Sequence, residues 1–143
     1  MPVQAAFEIR PADTSDRDAI QTLWDECGLS RATSDEWDTL MTSPGVEVLV
    51  AEAEGRVAGT AIASFDGWRA YIYHVAVAGP FRRQGLGHSL MMKAEQHLAS
   101  AGARRIYVMV HEESTEGLAL VGSVGYLPEG EIVLVKQLAG RFA

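Results

Sequence analysis

The residues best spaced for chemistry lie between Tyr71 and Ala101. A β-rich apolar run, Tyr71 to Val77, meets the breaker Gly79-Pro80. Then Arg82-Arg83-Gln84-Gly85-Leu86-Gly87-His88 opens an amphipathic helix. A strand, a glycine turn and a helix N-terminus in that order make an anion site. The first N–H groups of a helix have no intrahelical acceptor and carry partial positive charge. Glycine lets the backbone approach a phosphate with no side chain between. Arg82 and Arg83 add positive charge at the rim. The pattern suits a ligand with phosphates, a pyrophosphate above all. A purely structural Gly-x-Gly turn has no need of the paired arginines and the preceding strand.

Two familiar phosphate loops fail against these residues. No Gly-x-x-x-x-Gly-Lys-Ser/Thr run exists. The dinucleotide fingerprint lacks its third glycine, because Gly85-Leu86-Gly87 is followed by His88-Ser89-Leu90. A nucleotide-dependent enzyme is therefore the weakest reading. The four histidines have no metal-ligand spacing with one another, with Cys27 or with nearby carboxylates, so no metal is expected. Cys27 falls on an apolar helix face, where a buried, inert thiol is the ordinary outcome. Strict alternation puts Tyr71, Tyr73, Val75 and Val77 on one face of their strand and Ile72, His74 and Ala76 on the other. Half-buried packing is the ordinary role for such tyrosines and for a sheet histidine. Glu112-Glu113 reads equally as an attractor for a cationic amine and as a solvated turn.

The elements that must position these groups are legible in order. Phe7 to Arg10 alternates as a first strand, ended by Pro11. Ser15-Asp16-Arg17-Asp18 resembles a capping box for a helix carrying Ile20, Leu23, Trp24 and Cys27 and stopped by Gly28. Ser34 caps a short helix with Trp37, Leu40 and Met41. A meander follows: Val46 to Ala51, a tight Glu54-Gly55 turn, Val57 to Phe65, a turn at Asp66-Gly67, then Ala70 to Val77. The helix after the phosphate turn runs from about Gly85 to Ala101, and Arg105 to Val110 forms a strand parallel to Tyr71–Val77. Ser114 or Thr115 caps a last helix ending at Gly125; Tyr126-Leu127 and Glu131 to Leu138 are expected to close the sheet.

Composition bounds the function. The chain has 143 residues, 48% of them hydrophobic, which is enough for one domain with a real core. The net charge is −7 with no Lys/Arg cluster beyond a pair, which argues against nucleic acid. No apolar run of about twenty residues suits a membrane span. A lone cysteine and an N-terminus without a basic n-region point to the cytoplasm.

Arg82-x-x-Gly85-x-Gly87 after Val75-Ala76-Val77 resembles the acyl-CoA-binding motif of the GNAT acetyltransferase superfamily. The order of elements from about Ile9 to Leu138 is that family's order, and Gly59 to Val77, with its Asp66-Gly67-Trp68-Arg69 turn, resembles small stand-alone bacterial acetyltransferases. The resemblance implies a single α/β (α+β) domain over residues 1–143, with a mixed sheet of about six to seven strands, about four flanking helices and a splayed strand pair that takes acyl-CoA. It gives the pantetheine arm to Val75, Ala76 and Val77, and the pyrophosphate to N–H groups between Arg82 and His88. Ser114 stands where the family often has an asparagine. The implied reaction is transfer of an acetyl group from acetyl-CoA to an amine by direct attack in a ternary complex, with the Val77 N–H polarising the thioester. The family's frequent general-acid tyrosine is here Val121, and its frequent strand glutamate is Tyr71. Tyr73, His74, His111 and Tyr126 remain as acid–base candidates. Loss of that tyrosine also leaves a second reading, a non-catalytic acyl-CoA-binding or interaction module. Acceptor specificity is expected from Leu29 to Met41, the Asp66–Arg69 turn and the last hairpin. The resemblance leaves open a homodimer through the terminal strands.

Overall fold

The computed structural model describes residues 6–139. They fall into two units, one ending at Val108 and one starting at Met109. The first unit contains β1 (Phe7–Pro11), α1 (Arg17–Glu26), α2 (Ser34–Thr42), β2 (Val46–Ala53), β3 (Arg56–Phe65), β4 (Ala70–Val77), α3 (Leu86–Ser100) and β5 (Ile106–Val108). The second contains α4 (Thr115–Ser123). The sheet has the order β1-β2-β3-β4-β5; β1 to β4 form an antiparallel meander, and β5 joins β4 in parallel after the α3 crossover.

Local chemistry sets the boundaries. Glu54 and Gly55 both have positive φ, 53° and 72°, the pair that a two-residue hairpin turn of strand-matching twist requires. The β3–β4 loop is held by Asp66, whose Oδ1 accepts the N–H groups of Trp68 and Arg69 at 2.8 and 2.7 Å. Two caps lie upstream of their expected places. The α1 region starts with a single 3-10 turn at Thr14–Asp16, capped by Asp13 and closed by Asp16 rather than by Ser15 and Asp18. Thr33, not Ser34, caps α2, with Glu36 closing the box. In both cases the residue three positions on that can reach back sits one or two places earlier than the first helix-like spacing suggested.

The core lies on both sides of β2, β3 and β4. Trp24 of α1 donates its indole N–H to Thr60 at 3.0 Å, so α1 covers the Thr60 face. A Cβ on neighbouring Gly59 would come within 2.9 Å of Leu90 of α3, so α3 covers the opposite face. Gly59, Ala61 and Ala63 keep that second face flat enough for Leu86, Leu90, Met91, Ala94 and Leu98, all buried, to pack closely.

The sheet has five strands where six to seven were expected. No strand forms among the described residues after Val108, and β5 is three residues long rather than reaching Val110. The apolar run Ile132-Val133-Leu134-Val135 is 71–84% exposed. Its four consecutive apolar residues carry no period-2 pattern to choose a buried face or a register.

One ion-pair cluster ties the first strand to the first helical turn. Arg10 donates to both Asp16 oxygens at 2.7 and 2.9 Å and to Glu52 at 2.9 Å. Asp16 is 8% exposed, and the Arg10 hydrogen bonds hold its carboxyl below the ordinary carboxylate range. A carboxyl with a lowered folded pKa contributes stability above its unfolded value, and that stability is lost as pH falls through the folded value. Asp16→Asn is expected to cost about 2 kcal/mol at pH 7. The variant should also show a weaker loss of stability below about pH 4 than the parent, read by denaturant titration at several pH values.

Candidate active site

β4 runs from Ala70 to Val77, but its ladder with β5 covers only Ala70, Tyr71 and Ile72. From Tyr73 onward β4 has no β5 partner. The expected splay therefore takes the form of an early end to the parallel ladder. The antiparallel bond Ala78 N–H to Ala58 C=O, 2.8 Å, fixes the alternation on the other side. Ala78–Ala58 is a hydrogen-bonded pair, so Val77–Gly59 is not, and the Val77 N–H and C=O point away from β3. The Val77 C=O accepts Arg82 Nε at 3.0 Å. Cys27, at the α1 C-cap, lies beside the same carbonyl (Sγ to O, 3.8 Å) and beside Arg82 (3.7 Å).

A β-bulge interrupts the strand. Ile62 faces Tyr73 while Thr60 faces Ala76, so His74 and Val75 together oppose Ala61. His74 takes φ 49°, the left-handed conformation of the first residue of a glycine-type bulge. This overturns the expected strict alternation. Tyr71, Tyr73 and Ala76 share the Thr60 face, the His74 ring packs on Trp24 of that face, and Val77 points to the α3 side. Bulges re-aim side chains in this way.

His74 is anchored on three sides. Its Nε2 lies 2.9 Å from the Ser30 C=O, its ring meets Trp24 edge-on at 4.7 Å, and its own C=O accepts the Thr60 hydroxyl at 3.1 Å. A carbonyl only accepts, so Nε2 carries the proton and Nδ1 keeps the lone pair. Tyr73 stands edge-on to His74 at 5.7 Å, and burial pushes its phenol pKa upward. Tyr73 is thus a proton donor at neutral pH and not a base.

Beyond Val77 the chain turns through Gly79–Phe81 into the phosphate-type loop. Arg83 and Gly85 have φ 61° and 85°, with Gln84 between them outside the positive-φ region. Backbone that alternates in hand brings successive N–H groups toward one point. The first intrahelical bond of α3 runs from Ser89 N–H to Gly85 C=O at 3.0 Å, which leaves the N–H groups of Leu86, Gly87 and His88 without intrahelical acceptors. The Leu86 side chain is buried, so only its backbone faces outward. Gln84 donates to the Pro80 C=O at 3.3 Å, and His88 is exposed on the first turn. These features fit a pyrophosphate held by main-chain donors, with the Arg82 and Arg83 charges close by.

The remaining candidates lie in the second unit. Ser114 caps α4 and accepts the Gly117 N–H at 3.1 Å. His111 Nδ1 accepts the Glu113 N–H at 3.2 Å. The Tyr126 N–H donates to the Val121 C=O at 3.0 Å. Among the described residues no group of three or more His, Cys, Asp or Glu could hold a metal, and no helix is long and apolar enough to cross a membrane. Sequence reasoning missed the bulge and the Ser30–His74 contact; a histidine inside an otherwise apolar strand was the only available signal.

The family profile described as "Acetyltransferase (GNAT) family" matches residues 11–126. An acetyltransferase of Pectobacterium atrosepticum is 32% identical over 136 residues, covering 92% of this chain and 96% of that protein. The chain belongs to the GNAT acetyltransferase family and is an acyl-CoA-dependent acetyltransferase. Its fold is also that of a predicted acetyltransferase from Clostridium acetobutylicum solved with acetyl-CoA (TM-score 0.76, 12% identity, 92% of this chain and 96% of that one). It is likewise similar to an aminoglycoside acetyltransferase from an uncultured soil metagenomic sample solved with sisomicin (TM-score 0.77, 20% identity, 94% and 97%).

The bulge makes a stability prediction. An L-residue at positive φ costs about 1 kcal/mol relative to glycine. His74→Gly and His74→Ala both lose the ring and its bond to Ser30, and only the alanine keeps the backbone strain. His74→Gly is expected to be the more stable of the two by about 1 kcal/mol in chemical denaturation.

Proposed function

We propose that this protein transfers an acetyl group from acetyl-CoA to an amine by direct attack in a ternary complex, within one acetyltransferase domain. The observation that carries the reading is the open edge of β4, which leads from Tyr73 through Val77 straight to the main-chain donors at Gly85–His88. Such an edge suits an extended amide-bearing arm as an added strand, with the diphosphate at the helix start. The family match supports acetyl-CoA as donor.

Acetyl-CoA, when bound, supplies the thioester carbonyl that the amine attacks, the C–N bond forming as the C–S bond breaks and the thiolate leaves. The Val77 N–H, directed away from β3, donates to the carbonyl oxygen as charge builds there. His74 Nδ1 takes the proton of the attacking amine, since its Nε2–H is held by Ser30. The Tyr73 hydroxyl, kept neutral by burial, returns a proton to the departing sulfur. Arg82 holds the Val77 C=O and with it the strand end. Ser114, Tyr126 and a homodimer contact have no support beyond their place in the sequence pattern, and the mechanism does not need them.

The test combines binding with turnover. Acetyl-CoA at about a hundred times its dissociation constant should add about 2.7 kcal/mol of stability and raise Tm, with CoA acting alike and NAD not at all. Gly87→Leu should keep its unliganded Tm and lose acetyl-CoA affinity by roughly tenfold or more. His74→Gln should bind acetyl-CoA normally but release thiol slowly with a panel of amines. Unchanged affinity in the Gly87 variant overturns the phosphate turn. Normal binding with no thiol release from any amine supports the non-catalytic module instead.

A further inference from the structure

Among the described residues, Glu54, His74 and Arg83 are the non-glycines with positive φ. Glu54 belongs to a hairpin turn that demands it, and His74 belongs to the bulge. Arg83, at 61°, stands in the exposed loop before α3. Glycine would take that conformation without strain, so an arginine there calls for a role of its side chain. Among the described residues its guanidinium has no hydrogen-bond or ion-pair partner. A second guanidinium without such a partner lies nearby. Arg56, at the start of β3, sits 5.1 Å over the Phe81 ring. Phe81 is buried, so the contact fixes where the guanidinium stands. Stacking uses the face of that group and leaves its in-plane N–H fork free. The bond from Ala78 N–H to Ala58 C=O, 2.8 Å, holds this end of β3 against the loop. Phe81 and Arg83 are two residues apart, at most about 7 Å of backbone. Both arginines therefore flank one short stretch of chain.

Resting on the reading of acetyl-CoA as donor, we infer that Arg56 joins Arg83 in a second phosphate site beside the main-chain one, and that this pair takes the phosphomonoester on the ribose of CoA. The diphosphate is already provided for by the N–H groups of Leu86, Gly87 and His88. CoA carries one further phosphate, a monoester with close to two negative charges at neutral pH and three terminal oxygens. Such a group suits guanidinium forks better than neutral N–H donors, because both partners are charged and the fork matches two oxygens at once. Arg82 is committed elsewhere, through Nε to the Val77 C=O. No acid competes for the pair within the loop: the chain has 19 acidic residues, yet none lies between Asp66 and Glu95. Glu54, in the same hairpin as Arg56, pairs with neither arginine. The loop sequence alone could not have pointed to Arg56, which reaches the loop from the β2–β3 hairpin. The consequence is a preference for CoA over its dephosphorylated precursor.

The experiment is calorimetric binding of CoA and 3′-dephospho-CoA to the full chain at low salt. The parent should prefer CoA by about tenfold, and the preference should narrow as salt rises. Arg56→Ala and Arg83→Gly should each weaken CoA binding by roughly threefold and change 3′-dephospho-CoA binding far less. The double variant should bind the two ligands alike. Arg83→Gly should also melt at a higher temperature than the parent without ligand, because glycine relieves the backbone strain, so its weaker binding cannot come from a damaged fold. Equal parent affinities for the two ligands overturn the inference and leave the acetyl-CoA reading intact. A preference that survives in the double variant does the same. A lower melting temperature for Arg83→Gly also overturns it, since the Arg83 side chain would then serve the fold. Failure of the parent to bind either ligand overturns the acetyl-CoA reading itself.

Discussion

The structure depends on one unmet demand of the peptide backbone. A strand exposes a donor and an acceptor at every second residue on each edge, and these groups must find partners. On its β3 side β4 is paired along its length apart from the bulge, while on its other side β5 stops at Val108 opposite Ile72. The Val77 C=O finds Arg82, and the Val77 N–H points outward beside it. A sheet that closed β5 over the whole of β4 would be better paired and would have no place for an extended ligand. The rigid remainder of the sheet makes this open edge tolerable. Trp24 and Thr60 lock one face, and the small residues of β3 bring α3 close on the other.

The bulge at His74 decides which side chains flank that edge. By adding one residue to β4 it brings Tyr73 and His74 onto the same face as Ala76 and sends Val77 to the opposite one. An unbulged strand would place His74 on the α3 face, against Leu90 and its neighbours, with its polar ring unsatisfied. The left-handed φ at His74 costs about 1 kcal/mol and persists because Ser30, Trp24 and Thr60 hold the residue from three directions. The same contacts bind the loop between α1 and α2 to the C-terminal half of β4. A change at Ser30 would therefore act on His74.

Much of this was legible in the sequence. The Gly55 turn, the Gly85 turn, the stripe on α3 and the bounds of β4 follow from local rules, because the glycines have few alternatives and the apolar periods are long. The strict alternation of Tyr71 to Val77 was misread because a bulge adds one residue without leaving a local signature when no glycine marks it. The helix caps moved by one or two places because Asp13 and Thr33 compete with Ser15 and Ser34 for the same role, and only three-dimensional reach decides between them. The expected closing strands failed for a different reason. Ile132 to Val135 has strand composition but no alternation, and a strand forms only where a neighbour accepts its hydrogen bonds.

The valine at position 121 bears on how acid and base work are divided. An enzyme that places a tyrosine on its last helix can protonate the thiolate from there. This chain instead has a phenol and an imidazole side by side on β4, 5.7 Å apart and oriented edge to face. Burial raises the Tyr73 pKa, and the Ser30 carbonyl fixes the His74 tautomer with its lone pair on Nδ1. The phenol therefore stays protonated through the neutral range, and the imidazole keeps a lone pair on Nδ1. In the mechanism proposed above, both the acid and the base come from β4, the strand whose edge beyond Ile72 has no β5 partner.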